Sequence, residues 1–295
     1  MRGYRIASVC PCSSLIRMFL HLLSIFAALA YGIASVGYVR LLSPETRARP
    51  ATASRMLSGG LVLHALFLLS AEGQNYFRFA DAQVTVDRFP FTLCVVSFLV
   101  LLIYRGVEFR SGRYGLGAFF APLGALLMLF SGVVFHLVRD SQPITDTGLL
   151  LYLHLFFVLS GDALFICAFC VSVALLYQEW ALRKKRSPKV VGQLPSLVSL
   201  DSLNRWLLSF GFFAMLVGVF AGVLFSRRVG VQLSGGDLKV VLTLLTLGVY
   251  AVVVVGMLSF GLRGRRVAWL SVIGFFPLAL SLIGGSLGFG GFHVH

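Results

Sequence analysis

Six histidines, His21, His64, His136, His154, His293 and His295, stand in a chain that is otherwise overwhelmingly apolar. Neutral imidazoles ligate transition metals and haem iron, so their placement along the chain is the first question the sequence raises. His64 lies eight residues before Glu72, and His154 eight residues after Asp146. At 1.5 Å per helical residue, each falls about 12 Å inside a charged boundary, which lets the two face each other at one level. His21, His136, His293 and His295 fall nearer that same boundary. Histidines at helix ends are usually interfacial. Ionisable side chains at depth are costly to place, which sets His64 and His154 apart as candidate ligands. Asp162, two turns beyond His154, is a second deep ionisable group that needs a hydrogen bond or a bound proton.

The elements that carry these residues read as membrane helices. Of 295 residues, 58% are hydrophobic and 12% charged, against about 25% charged in soluble domains; the mean hydropathy is +0.91. Apolar stretches near the ~20 residues that cross a bilayer number about eight. They run roughly over Met18–Leu42, Met56–Ala71, Phe89–Tyr104, Gly115–Val138, Thr147–Tyr177, Trp206–Phe225, Val240–Leu262 and Val267–Gly288. The expected fold is all-α and polytopic, one integral membrane domain over residues 18–295, with residues 1–17 an upstream extension if Met18 is the true start. The longest connector is shorter than the ~50 residues at which soluble domains begin. The first span is too long, and lacks the cleavage site, for a signal peptide.

The net charge of +14 is distributed in short loops. Arg40, Arg47, Arg49 and Arg55 separate the first two spans, Arg105, Arg110 and Arg113 the third and fourth. Arg183, Lys184, Lys185, Arg186 and Lys189 separate the fifth and sixth, and Arg263, Arg265 and Arg266 the last two. These alternate loops share one face, which the positive-inside rule makes cytoplasmic. Both termini are then outside, and every histidine belongs to the outer half. No aromatic or folded platform accompanies the basic residues, so topology explains the charge better than nucleic-acid binding. Cys94, Cys167 and Cys170 fall inside helices, where thiols usually pack. No nucleophile–base pair, phosphate loop or nucleotide fingerprint is present, so no enzymatic activity is expected.

Several segments match a known family in order and spacing. Leu151-Tyr152-Leu153-His154-Leu155, running on to Leu159-Ser160-Gly161-Asp162-Ala163 and the basic stretch Tyr177–Arg186, resembles the histidine-bearing helix of the cytochrome c assembly family, membrane proteins that handle haem. Phe89-Pro90-Phe91-Thr92-Leu93 with Ser97-Phe98, and Leu116-Gly117-Ala118-Phe119 with Pro122, resemble its third and fourth helices. Leu194-Pro195-Ser196-Leu197 with Leu200-Asp201-Ser202-Leu203-Asn204 resembles the loop into its sixth helix. Gly261-Leu262-Arg263-Gly264-Arg265-Arg266-Val267-Ala268-Trp269 resembles the basic turn before its last, and Val62-Leu63-His64-Ala65 the second helix of the HemX-like branch.

The resemblance implies an eight-helix protein of a bacterial inner (plasma) membrane, holding haem b between two outer-side histidines. His154 falls on the first and His293 on the second, whereas depth pairs His154 with His64; both pairings stay open. Outer arginines such as Arg78, Arg88, Arg139, Arg227 or Arg228 are candidates to face the propionates. Ser226–Lys239, where the cytochrome-assembly branch carries a tryptophan-rich segment, contains no Trp, and only Asp237 and Lys239 match its pattern. The chain therefore resembles the HemX-like branch most. The expected role is haem binding or delivery in cytochrome c assembly, with haem, the lipid bilayer and another assembly subunit as partners. The alternative is a cofactor-free scaffold or regulator of haem biosynthesis acting through its cytoplasmic loops.

Overall fold

The computed structural model describes residues 11–43, 49–78, 88–137, 148–185, 193–230 and 238–286. Eight helices and no strand occur among them: α1 (Pro11–Leu41), α2 (Pro50–Arg78), α3 (Arg88–Ser111), α4 (Gly117–Leu137), α5 (Leu149–Arg183), α6 (Leu197–Val229), α7 (Leu238–Ser259) and α8 (Arg265–Ser286). Seven contain runs long and apolar enough to cross a membrane, and α4 adds the shorter run Gly117–Gly132. The chain is an all-helical, polytopic membrane protein.

Helices extend past the apolar windows because hydropathy marks where lipid lies, while the backbone ladder continues into polar sequence. Thus α2 runs to Arg78, beyond the expected end at Ala71. Helix α6 starts nine residues before Trp206, where the Ser196 hydroxyl accepts from Ser199 N at 3.2 Å as an N-cap. It stops at Gly230, whose φ of 75° few other residues tolerate. The same extension corrects the reading of Arg55, Arg105 and Arg110 as loop residues, since they lie on α2 and α3.

Successive helices alternate in direction, which gathers the ends bearing Arg40, Arg110, Arg183 and Arg265 at one face, here the basic end. Helices α1 to α4 form one group, with α1 against α2 and α4, and α3 against α4. Helix α5, at 35 residues the longest, joins this group through α3 and packs on α6 and α8.

The α5–α6 seam is set by small residues. A Cβ on Gly161 would lie 3.1 Å from Met215 N, one on Gly211 2.9 Å from the Phe165 ring, and one on Gly218 2.7 Å from Val158 Cγ2. Contacts stepping alternately by three and four residues are the mark of nearly aligned helices, and glycines are what let membrane helices approach this closely.

Candidate functional site

His154 occupies the non-basic end of the α5–α6 seam. Its Nδ1 lies 2.8 Å from the Gly218 carbonyl oxygen. A carbonyl only accepts, so Nδ1 carries the proton and, in the neutral ring, Nε2 keeps its lone pair. One turn further along α6, a Cβ on Gly222 would fall 2.6 Å from Nδ1 and 2.7 Å from Cε1. The imidazole therefore lies in a notch that exists only because residue 222 has no side chain. A backbone carbonyl fixing tautomer and ring orientation is the usual arrangement behind a metal-ligating histidine.

Beside His154 is a cavity of about 140 Å³ lined also by Thr92, Asp162, Thr243, Thr246 and Ser281. Leu155, Val158, Leu159, Met215, Val219, Leu278 and Leu282 complete the wall, so the cavity is mainly apolar with a few hydroxyls and one carboxyl, and has room for a few waters. It lies below the ~300 Å³ at which pockets for sizeable organic ligands begin. Asp162 is 7% exposed, so the sequence placed it correctly as a deep group. On the side of α5 away from this cavity, Tyr152 and Phe156 are 54% and 64% exposed.

His64 is fully buried between α1, α2 and α3. Its Nδ1 is 3.1 Å from the Tyr31 hydroxyl, and its ring lies 5.4 Å, centroid to centroid, from Phe98. Nε2 has no hydrogen-bond partner among the described residues. Here too a glycine permits the contact, because a Cβ on Gly60 would come within 2.7 Å of the Tyr31 ring.

The structure does not bring His64 and His154 together. Phe98, against His64, is two residues from Val100, whose carbonyl receives the Cys167 thiol at 3.9 Å. That puts His64 near the level of Phe165, roughly 16 Å along α5 from His154. The expectation of a common level took Glu72 as the membrane boundary, whereas α2 continues as helix beyond it. His21 is an exposed residue of α1, and His136 lies on α4 with its side chain outside the described residues. His293, His295, Arg139 and Asp237 lie outside the described residues altogether, as do the side chains of Arg78, Arg88 and Lys239; Arg227 and Arg228 are exposed at the end of α6.

A cluster toward the basic end was not legible in the sequence. Glu108, 2% exposed, accepts from the Tyr38 hydroxyl at 2.5 Å, the Ser54 hydroxyl at 2.6 Å and the Tyr104 hydroxyl. Arg105 lies 3.4 Å from the same carboxyl and donates to Ser58 at 2.9 Å. One carboxyl thus ties α1, α2 and α3. The available signal was the tyrosine pair Tyr31 and Tyr38, seven residues apart on one face of α1.

Residues 87–292 match the family model described as cytochrome C assembly protein. A protein named cytochrome c biogenesis protein CcsA from Heterosigma akashiwo is 23% identical over 252 residues, covering 74% of this chain and 77% of that one. Its namesake from Trieres chinensis is 22% identical over 244 residues, covering 71% and 78%. No solved structure matches. The match takes in the histidine helix α5, its glycine-bearing partner α6 and the basic turn before α8, and the chain belongs to the cytochrome c assembly protein family.

Proposed function

We propose that this protein serves cytochrome c assembly by binding haem at the outer face of a bacterial inner membrane and handing it on unchanged. The observation that carries the proposal is His154. Its ring is oriented by the Gly218 carbonyl and admitted by Gly222, and the match to the family spans it. The relatives named cytochrome c biogenesis protein CcsA support the assembly role.

The donor set suits haem b. His154 would hold the iron through Nε2, and His293, on the family resemblance, would be the second histidine. His64 remains the alternative for that place, its unpartnered Nε2 in favour and its deeper level against. Haem held by two histidines would supply a low-spin iron, and the propionates of its macrocycle would need cationic partners, for which Arg227 and Arg228 are exposed at the same end of the bundle. The cavity beside His154 is too small for a macrocycle. The chain's own work is to orient the imidazole, through the Gly218 carbonyl and the notch at Gly222.

The outer placement rests on the basic loops, which retain the other face as cytoplasmic. A second reading, a scaffold or regulator without cofactor, is favoured by the lack of tryptophan in Ser226–Lys239. In it, exposed Arg183, Lys184 and Lys185 recruit a partner subunit.

The test is the absorbance spectrum of the detergent-purified chain from haem-replete cells. A Soret band with resolved α and β bands, lost in His154→Ala, is the expected result. Loss in His293→Ala but not His64→Ala would give the pair, and the reverse would reinstate His64. A colourless wild type would transfer the argument to the scaffold.

A further inference from the structure

Six buried residues carry side-chain polar atoms with no hydrogen-bond partner among the described residues, and five belong to α5–α8: Ser172, Gln178, Asn204, Tyr250 and Ser271. Three of the five fall at one level. The α5–α6 seam sets His154 against Gly222, Val158 against Gly218, Gly161 against Met215 and Phe165 against Gly211. Continued by the same three- and four-residue steps, it sets Ser172 against Asn204. Helix α8 enters through the stacked pair Phe169 and Phe275, 4.0 Å between centroids. By the same helix stepping, one turn toward the basic end from that stack puts Ser271 at the level of Ser172.

The three side chains are 0%, 1% and 0% exposed, and the unmatched atoms are Ser172 Oγ, Asn204 Oδ1, Asn204 Nδ2 and Ser271 Oγ. Inside a membrane such groups are costly to leave unpaired, and native structures pair them with protein or with ordered water. The chemistry selects among occupants. Asn204 Nδ2 can only donate and its Oδ1 can only accept, while each serine does both. A metal cation would satisfy the oxygens but leave the amide N–H unmatched, and an apolar occupant would satisfy nothing.

We propose that internal water, enclosed by α5, α6 and α8, bridges Ser172, Asn204 and Ser271. It occupies the same seam that holds His154 at its far end. The Tyr250 ring stacks 3.7 Å from that of Phe165, and its buried hydroxyl is likewise without a partner among the described residues.

Radiolytic footprinting of the full chain in ¹⁸O water tests this. Leu200 and Leu208 flank Asn204 by one turn on either side and are fully buried. ¹⁸O incorporation at these leucines, reduced several-fold in Ser172→Ala/Asn204→Leu/Ser271→Ala, is expected. Background-level labelling in the wild type, or undiminished labelling in the triple variant, would overturn the site. Should that variant not fold, Ser172→Ala alone decides by sign. A bridged hydroxyl lowers the melting temperature when removed, whereas a dry, unpaired one raises it.

Discussion

Gly222→Ala tests the His154 site without touching a ligand. The new Cβ would sit 2.6 Å from His154 Nδ1, where ordinary contacts begin at 3.4 Å, so the ring must retreat by about 0.8 Å. Retreat from α6 lengthens the 2.8 Å bond to the Gly218 carbonyl to about 3.6 Å, past the limit of a hydrogen bond. Losing that bond costs ~0.5–1.5 kcal/mol. The wider disturbance of a filled seam brings the total to ~1–3 kcal/mol. Separately from that loss of stability, losing the group that orients a metal-bound imidazole typically weakens binding about 10- to 100-fold, or ~1.4–2.8 kcal/mol of affinity. The assay is haem titration of the apo chain followed at the Soret band, with Gly248→Ala as control, since a Cβ there meets nothing within 4 Å. Gly222→Ala should raise the dissociation constant 10- to 100-fold, the control less than twofold. A folded Gly222→Ala that binds haem like the wild type would refute the claim that His154, held in this notch, is the ligand.

Other expectations follow from contacts already described. Glu108→Ala strips the acceptor from three hydroxyls and the partner from Arg105. Breaking a buried pair costs about 3–5 kcal/mol, and the melting temperature in detergent should fall on the order of 10 °C. An unchanged melting point would mean the cluster does not join α1, α2 and α3. Asp201 accepts from Gly264 N at 2.6 Å and lies 3.6 Å from Arg205. Asp201→Ala should cost ~1.5–3 kcal/mol and speed tryptic cleavage at Arg263, Arg265 and Arg266; equal cleavage rates would deny the tether. Reporter insertions should read cytoplasmic between residues 186 and 192 and external between 231 and 237, and the opposite pattern would invert the sidedness of the haem proposal.

Membrane residence, the helix number and the family follow from local properties that sequence states directly. Each span satisfies its own backbone, so apolar length alone announces a helix in lipid. The depth of Asp162 was legible for the same reason, because depth along one helix is counted in residues. What stands across from a residue is not counted that way. The Gly218 and Gly222 notch lies more than sixty residues from His154, Tyr31 is 33 from its partner His64, and Glu108 is 70 from Tyr38. The common level inferred for His64 and His154 failed on that distinction. A charged residue such as Glu72 need not end a helix, and only the packing of Phe98 and Val100 against their neighbours shows how far α2 is shifted relative to α5. Sequence by itself determined that histidines sit in membrane helices. The tertiary structure decided which of them has a notch, because a missing Cβ acts only on the side chain that another helix brings to it.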